Sequence, residues 1–128
     1  MMIMTPQQLV AEAKSQISEV DVAGAAQQIS AGAVVIDVRE PAEFEAGRLP
    51  NAVNIPRGVL EFKTGDHPAL ANKDAQMVIY CKTGGRSALA TQNLQRLGYT
   101  QLVSLAGGFE AWAGGGQQVV KDTTGFGG

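Results

Sequence analysis

The sequence predicts an α/β domain with a mainly parallel sheet and helices on both faces, and three observations carry that prediction. The runs "AVVIDV" (33–38) and "QMVIY" (76–80) are apolar but for Asp37 and Gln76 and rich in β-branched residues, the mark of strands covered on both sides. Segments with helical spacing and helix stop signals lie between the strand-like runs, which favours parallel strands joined by crossovers. The second run leads straight into "CKTGGRS" (81–87), a glycine-rich strand-to-helix junction that holds the single cysteine.

Taken in order, "MTPQQL" carries a helix start. Thr5 is placed as N-cap, Pro6 at the first helical position and Gln8 as the closing residue of a capping box, with Met4 and Leu9 at hydrophobic-staple positions. This helix is expected to reach about Gln16, with Leu9, Ala13 and Ile17 on one face. A second helix covers Val22 to Ser30 and stops at Gly32. After the strand at 33–38, Pro41 opens the short helix "PAEFEAG", ended by Gly47. "AVNI" (52–55) is a strand bounded by Pro50 and Pro56. Residues 57–76 are less regular, with short helical stretches and a "GDHP" turn. Ser87 to Leu97 fits a helix with Ala90, Leu94 and Leu97 on one face and Gly98 as its stop. "LVSL" (102–105) is a strand, and "GGFEAWAG" adds a last helical turn or two. The layout is an N-terminal helical extension at 1–17, one domain at 18–114 and a glycine-rich, loosely held tail at 115–128.

Composition narrows the function. A chain of 128 residues suits one domain with one real core. With 45% hydrophobic and 17% charged residues, global disorder is excluded. A net charge of −2 and scattered Lys and Arg give no basic field for nucleic acid or anionic lipid. One cysteine excludes an internal disulfide, and with one histidine it leaves little for zinc, so neither a metal nor a cofactor is expected. No apolar run approaches the roughly 20 residues that span a bilayer, and "MMIMTPQQ" lacks a signal-peptide pattern. A cytoplasmic location is the expectation, although a reduced periplasmic protein would look the same. The apolar "MMIM" start offers a contact surface, so monomer and homodimer both stay open.

The cysteine loop carries the chemistry. In open α/β sheets, ligands collect beyond the carboxyl ends of the strands, where Cys81 stands. A helix starting there offers unpaired N–H groups and partial positive charge. Gly84 and Gly85 let the backbone curl so that N–H groups converge on one anion. Arg86 adds a permanent cation and Lys82 a more mobile one. Each feature favours thiolate over thiol. The bland alternative is a buried, inert cysteine beside a tight turn, and the Gly-Gly-Arg-Ser company argues against it. The Walker phosphate-loop pattern is absent. Cysteine phosphatases use the same logic with one residue more between Cys and Arg than the four found here: Lys82, Thr83, Gly84 and Gly85. The shorter loop makes a tighter cradle, better suited to a single sulfur atom than to a tetrahedral phosphate.

"CKTGGRS" resembles the active-site loop of the rhodanese (thiosulfate sulfurtransferase) family, whose common form is Cys-x-x-Gly-x-Arg. "VVIDVREPAEFEAGRLPNAVNIP" (34–56) looks like that family's upstream signature, and "LAGGFEAW" (105–112) like its downstream Gly-Gly-x-x-x-Trp segment. The likeness covers roughly 20–114 and is closest to single-domain members. It implies a rhodanese-like three-layer domain with a five-stranded, mainly parallel sheet, the fifth strand being the short "SEV" near residue 19. Arg48 departs from the family, which often has histidine there.

The resemblance also implies roles. Cys81 becomes the persulfide-forming nucleophile, and Lys82, Thr83, Gly84, Gly85, Arg86 and Ser87 form the substrate-binding loop. Arg86 either binds the donor anion or ties the loop to the domain. Asp37 and Arg39 resemble the family's Asp-x-Arg and support the loop, unless they are ordinary surface ion pairs. Ser87 is expected to cap its helix, Trp112 to sit in the core and His67 to serve a turn. The partners implied are a small-molecule donor such as thiosulfate and a thiol or cyanide acceptor, with a protein sulfur acceptor also compatible. The rival readings are a non-catalytic binding or regulatory module and a cysteine phosphatase or arsenate reductase.

Overall fold

Five parallel strands, β1 (Glu19–Val20), β2 (Val34–Asp37), β3 (Ala52–Asn54), β4 (Gln76–Tyr80) and β5 (Gln101–Leu105), form one sheet in the order β1-β5-β4-β2-β3. Around it lie the helices α1 (Pro6–Ser15), α2 (Val22–Ser30), α3 (Pro41–Ala46), α4 (Gly85–Arg96) and α5 (Gly108–Gly114), with 3-10 turns at Arg57–Lys63 and Pro68–Leu70. This computed structural model describes residues 3–121, so Met1 and Met2 of the apolar start and residues 122–128 of the tail lie outside the described residues. Among the described residues no helix is long and apolar enough to cross a membrane.

Strand alternation explains the three layers. Along β4, Met77 and Ile79 join a cluster with Ile36, Leu60, Leu70 and Leu94, beneath α4 and the 3-10 turns. Val78 and Tyr80 point the other way, into a cluster with Ala25, Val35, Leu105 and Trp112, beneath α2 and α5. Both faces are covered, and the buried polar strand residues Asp37 and Ser104 have hydrogen-bond partners. Burying each large aliphatic side chain contributes about 1.5–3 kcal/mol, whereas an exposed ion pair contributes under about 1 kcal/mol. The two apolar layers hold the sheet.

Several expectations shift in detail. The capping box of α1 forms as read: the Gln8 N–H donates to Thr5 Oγ1 at 3.1 Å and the Thr5 N–H to Gln8 Oε1 at 2.8 Å. Leu9, however, is exposed, and Ala13 is the fully buried residue of the helix. The reason is tertiary: α1 lies against α4, and that contact selects the stripe through Val10 and Ala13. α4 starts at Gly85, two residues before the expected Ser87, and Leu97 ends it half-exposed. β1 is only two residues long, too short for any periodicity to show. The start of the tail is held. Arg48 and Val120 exchange backbone hydrogen bonds of 2.8 Å each, and Trp112 Nε1 donates to the Gln118 carbonyl at 2.7 Å.

Topology places the site. The connection from β2 through α3 leads to β3 on one side, while the connection from β4 through α4 leads to β5 on the other. The carboxyl ends of β2 and β4 therefore flank the switch point where ligands of open α/β sheets bind.

Candidate active site

Cys81 directly follows β4 and is 1% exposed. Its Sγ accepts a hydrogen bond from the Gly84 N–H at 3.1 Å. Gly84 itself adopts φ of +110°, a left-handed conformation that glycine takes without strain and from which the chain enters α4. Gly84 is also the N-cap of α4, so the sulfur sits at the positive end of a twelve-residue helix.

Ser87 therefore does not cap this helix. It stands in the first turn, where its hydroxyl donates to the Gly84 carbonyl at 3.2 Å and lies 3.5 Å from Cys81 Sγ. Its oxygen is 2.9 Å from Ser104 Oγ on β5, and both serines are fully buried. The pair of hydroxyls braces the turn from beneath.

α5 builds the other wall. The Phe109 N–H donates to the Cys81 carbonyl at 2.8 Å and the Glu110 N–H to the Lys82 carbonyl at 3.1 Å. Such an approach is open only to a chain without side chains: a Cβ on Gly108 would lie 2.5 Å from the Cys81 oxygen. In a trans peptide, a carbonyl and the following N–H point in opposite directions. Turning these two carbonyls towards α5 thus turns the Lys82 and Thr83 N–H groups away from it.

Asp37 and Arg39 lie beneath the loop as a buried pair, 0% and 4% exposed, not as surface charges. Arg39 meets both carboxylate oxygens, with Nη2 to Oδ2 at 2.8 Å, and donates to the Gly47 carbonyl. Tyr80 Oη donates to Asp37 Oδ2 at 2.6 Å and accepts the Leu49 N–H at 3.2 Å. Burial, and then the Asp37 charge, push the Tyr80 phenol well above its ordinary range. The Arg39 guanidinium covers the Phe109 ring at 4.6 Å. One network thus ties the end of β2, the residue before Cys81 and the start of α5. A buried pair of this kind adds little net stability, but removing one partner is costly.

Arg86 points its two terminal nitrogens at the two oxygens of Glu43, at 2.8 and 3.0 Å. That hydrogen bonding holds the Glu43 carboxyl down to about 2. Lys82 is exposed and stands 3.9 Å from Glu110 Oε2, and Thr83 is exposed beside it. His67 serves its turn, with Nδ1 accepting the Ala69 N–H at 3.1 Å. Trp112 is buried in the core. Arg48 stacks on the Phe44 ring at 4.4 Å and donates to the Phe44 carbonyl at 3.3 Å, along α3.

Cys81 and its loop thus come together with Asp37 and Arg39 behind them. Tyr80, Glu43, Ser104 and Phe109 belong to the same construction and were not singled out in the sequence. Tyr80 and Phe109 resemble ordinary core aromatics there. Glu43 lies 43 positions from its partner Arg86, so no local spacing marks it.

The fold and this loop define an α/β protein whose single cysteine is held under a backbone amide at a topological switch point. The family model for the rhodanese-like domain matches residues 21–114, and the chain belongs to that family. It is 32% identical over 106 residues to a sulfurtransferase of Allochromatium vinosum, covering 81% of this chain and 95% of that protein. It is 33% identical over 116 residues to the chloroplastic thiosulfate sulfurtransferase 16 of Arabidopsis thaliana, covering 84% of this chain and 96% of that one. A solved structure from Rhodopseudomonas palustris, described as a protein of unknown function and possible tyrosine phosphatase, matches with a TM-score of 0.82 at 30% identity, over 94% of this chain and 97% of its own. The chain is thus related to sulfurtransferases, on a fold that has also drawn a phosphatase description.

Proposed function

We propose that this protein transfers sulfane sulfur from an anionic donor such as thiosulfate to a thiol or cyanide acceptor through a Cys81 persulfide. The observation that carries this reading is the Gly84 N–H donated to Cys81 Sγ at 3.1 Å, at the start of α4. In the first step the Cys81 thiolate attacks the outer sulfur of thiosulfate. A new S–S bond forms at Sγ, the S–S bond of the donor breaks, and sulfite leaves with the electron pair. In the second step the acceptor attacks the terminal sulfur and the Cys81 thiolate leaves. Both steps are displacements at sulfur, and neither needs an external oxidant or reductant. This is covalent catalysis that splits one transfer into two.

The loop residues divide the work. Gly84 supplies an amide that stabilises negative sulfur without carrying a proton that it can lose. Ser87 places a hydroxyl 3.5 Å from Sγ. Lys82, exposed at the loop, meets the donor in solvent. Arg86, held on Glu43, is a positioning residue that fastens α4 to α3 across the switch point. Asp37 and Arg39 support the loop from beneath.

The phosphatase reading is weaker on two counts. The loop is one residue shorter than a phosphate cradle needs, and its arginine directs both terminal nitrogens to a carboxylate. A thiocyanate-forming assay with thiosulfate and cyanide, run beside aryl phosphate hydrolysis, separates the readings. Thiocyanate without phosphate release is the expected result. Phosphate release without thiocyanate would overturn the proposal.

A further inference from the structure

We propose that α1 forms a wall of this site and that Lys14 is a specificity-determining residue for doubly charged sulfur donors. The proposal rests on the sulfur-transfer reading above and extends it to a residue outside the matched family segment, 21–114.

α1 covers both loop glycines. A Cβ on Gly85 would lie 3.5 Å from Val10 Cγ2, and a Cβ on Gly84 would lie 3.8 Å from Lys14 Nζ. The register of α1 on α4 is pinned by the fully buried Ala13 and by Gln92 Nε2, which donates to Gln16 Oε1 at 2.9 Å. Gly84 is the residue whose N–H meets the sulfur. The Lys14 ammonium therefore stands beside the cradle, not at the far end of an appendage.

Its charge is available there. Glu19 Oε2 lies 3.7 Å away and both side chains are partly exposed, so that contact is weak. Arg39 and Arg86, in contrast, are each held by a two-point carboxylate contact. The dipole of α1 accounts for a lysine in its last turn, but not for the reach of that lysine to Gly84.

The chemistry gives such a cation a task. A thiolate attacking a dianion faces repulsion between like charges, and a nearby ammonium offsets it on approach. A monoanionic donor gains less, and a neutral one hardly at all. Lys14 thus acts on donor capture, with little change in the bond exchange at sulfur.

Two readouts on the full-length protein test this, using Lys14→Met, which keeps the apolar stem, and Lys14→Arg, which keeps the charge. The first is the rate of Cys81 alkylation by iodoacetate relative to neutral iodoacetamide, which senses local potential whether or not sulfur is transferred. At low salt, Lys14→Met is expected to lower that ratio about two- to fivefold and Lys14→Arg to restore it, with the difference shrinking in high salt. The second is KM for thiosulfate against KM for a monoanionic alkanethiosulfonate. Lys14→Met should raise the former about two- to fivefold, the latter less, and leave kcat nearly unchanged. A wild type that acquires sulfur from thiosulfate, alongside a Lys14→Met variant with unaltered ratio and KM, overturns this inference alone. A wild type that acquires no sulfur overturns the sulfur-transfer reading and this inference with it.

Discussion

Arg86 and Glu43 form a two-point ion pair, Nη1–Oε1 2.8 Å and Nη2–Oε2 3.0 Å, that joins the first turn of α4 to α3 across the sheet's switch point. The arginine of the cysteine loop therefore faces a carboxylate of its own chain. On the proposed reading, its part is to fix where the start of α4, and with it Gly84, lies relative to the sulfur.

Glu43→Gln should weaken sulfur transfer at neutral pH by roughly fivefold, the scale of a partly exposed ion pair. The pH dependence follows from the sign of the shift. The folded-state value is depressed to about 2, so the pair's stabilisation is complete above the ordinary glutamate range near pH 4.3. It is lost as pH falls from there towards 2. Denaturant unfolding at a series of pH values should show wild type above the variant near neutrality and the gap closing in acid. A gap that stays constant down to pH 2 would mean that the pair does not form.

Gly108→Ala should disrupt the loop directly. The new Cβ would sit 2.5 Å from the Cys81 carbonyl oxygen, and φ of +58° is itself unfavourable for alanine. Strain of this kind costs on the order of 1–3 kcal/mol, and α5 must retreat from the loop. A lower unfolding midpoint together with lost sulfur transfer is expected. A variant with wild-type stability and activity would show that α5 does not set the loop.

Tyr80→Phe removes the 2.6 Å donor from the buried Asp37 carboxylate. Leaving a buried acceptor short of a partner costs about 1–3 kcal/mol. The phenol's folded value is raised, so its contribution is present below the ordinary tyrosine range near pH 10 and is lost only as pH rises through the higher folded value. Unfolding curves from pH 6 to 10 should therefore keep wild type above the variant throughout. Equal stability of the two proteins at pH 7 would remove the Asp37–Tyr80 contact from the account.

Lys82→Ala should raise KM for thiosulfate by about fivefold at low salt, with little change in kcat. The side chain is 59% exposed and its carboxylate neighbour is 3.9 Å away, so added salt should erase the difference. Steady-state kinetics at two ionic strengths decide it. An unchanged KM at low salt would leave Lys82 without a part in donor capture.

How much of this was legible in the sequence depends on how local each signal is. The boundaries of α2 and β4 emerged residue for residue, because Gly32 and the apolar run from Met77 to Tyr80 are local marks. Cys81 stood out because two glycines and an arginine follow it. What stayed hidden depends on distant partners. Asp37 and Arg39 could equally have been surface ions until Tyr80, Gly47 and Phe109 closed around them. Val10 and Lys14 gain meaning only when α1 folds over Gly84 and Gly85. Ser87 looked like a cap because Ser is a common N-cap residue, whereas the left-handed Gly84 started the helix earlier. The start of the tail looked loose by composition, until Val120 paired with Arg48.

The most direct test of the central claim is the mass of the peptide carrying Cys81 after incubation with thiosulfate and removal of excess donor. The expected result is a gain of one sulfur on that peptide in the wild type, its loss on adding cyanide, and no gain in Cys81→Ser. Sulfur transfer that persists in Cys81→Ser, or a wild-type peptide that never gains the mass, would contradict the account.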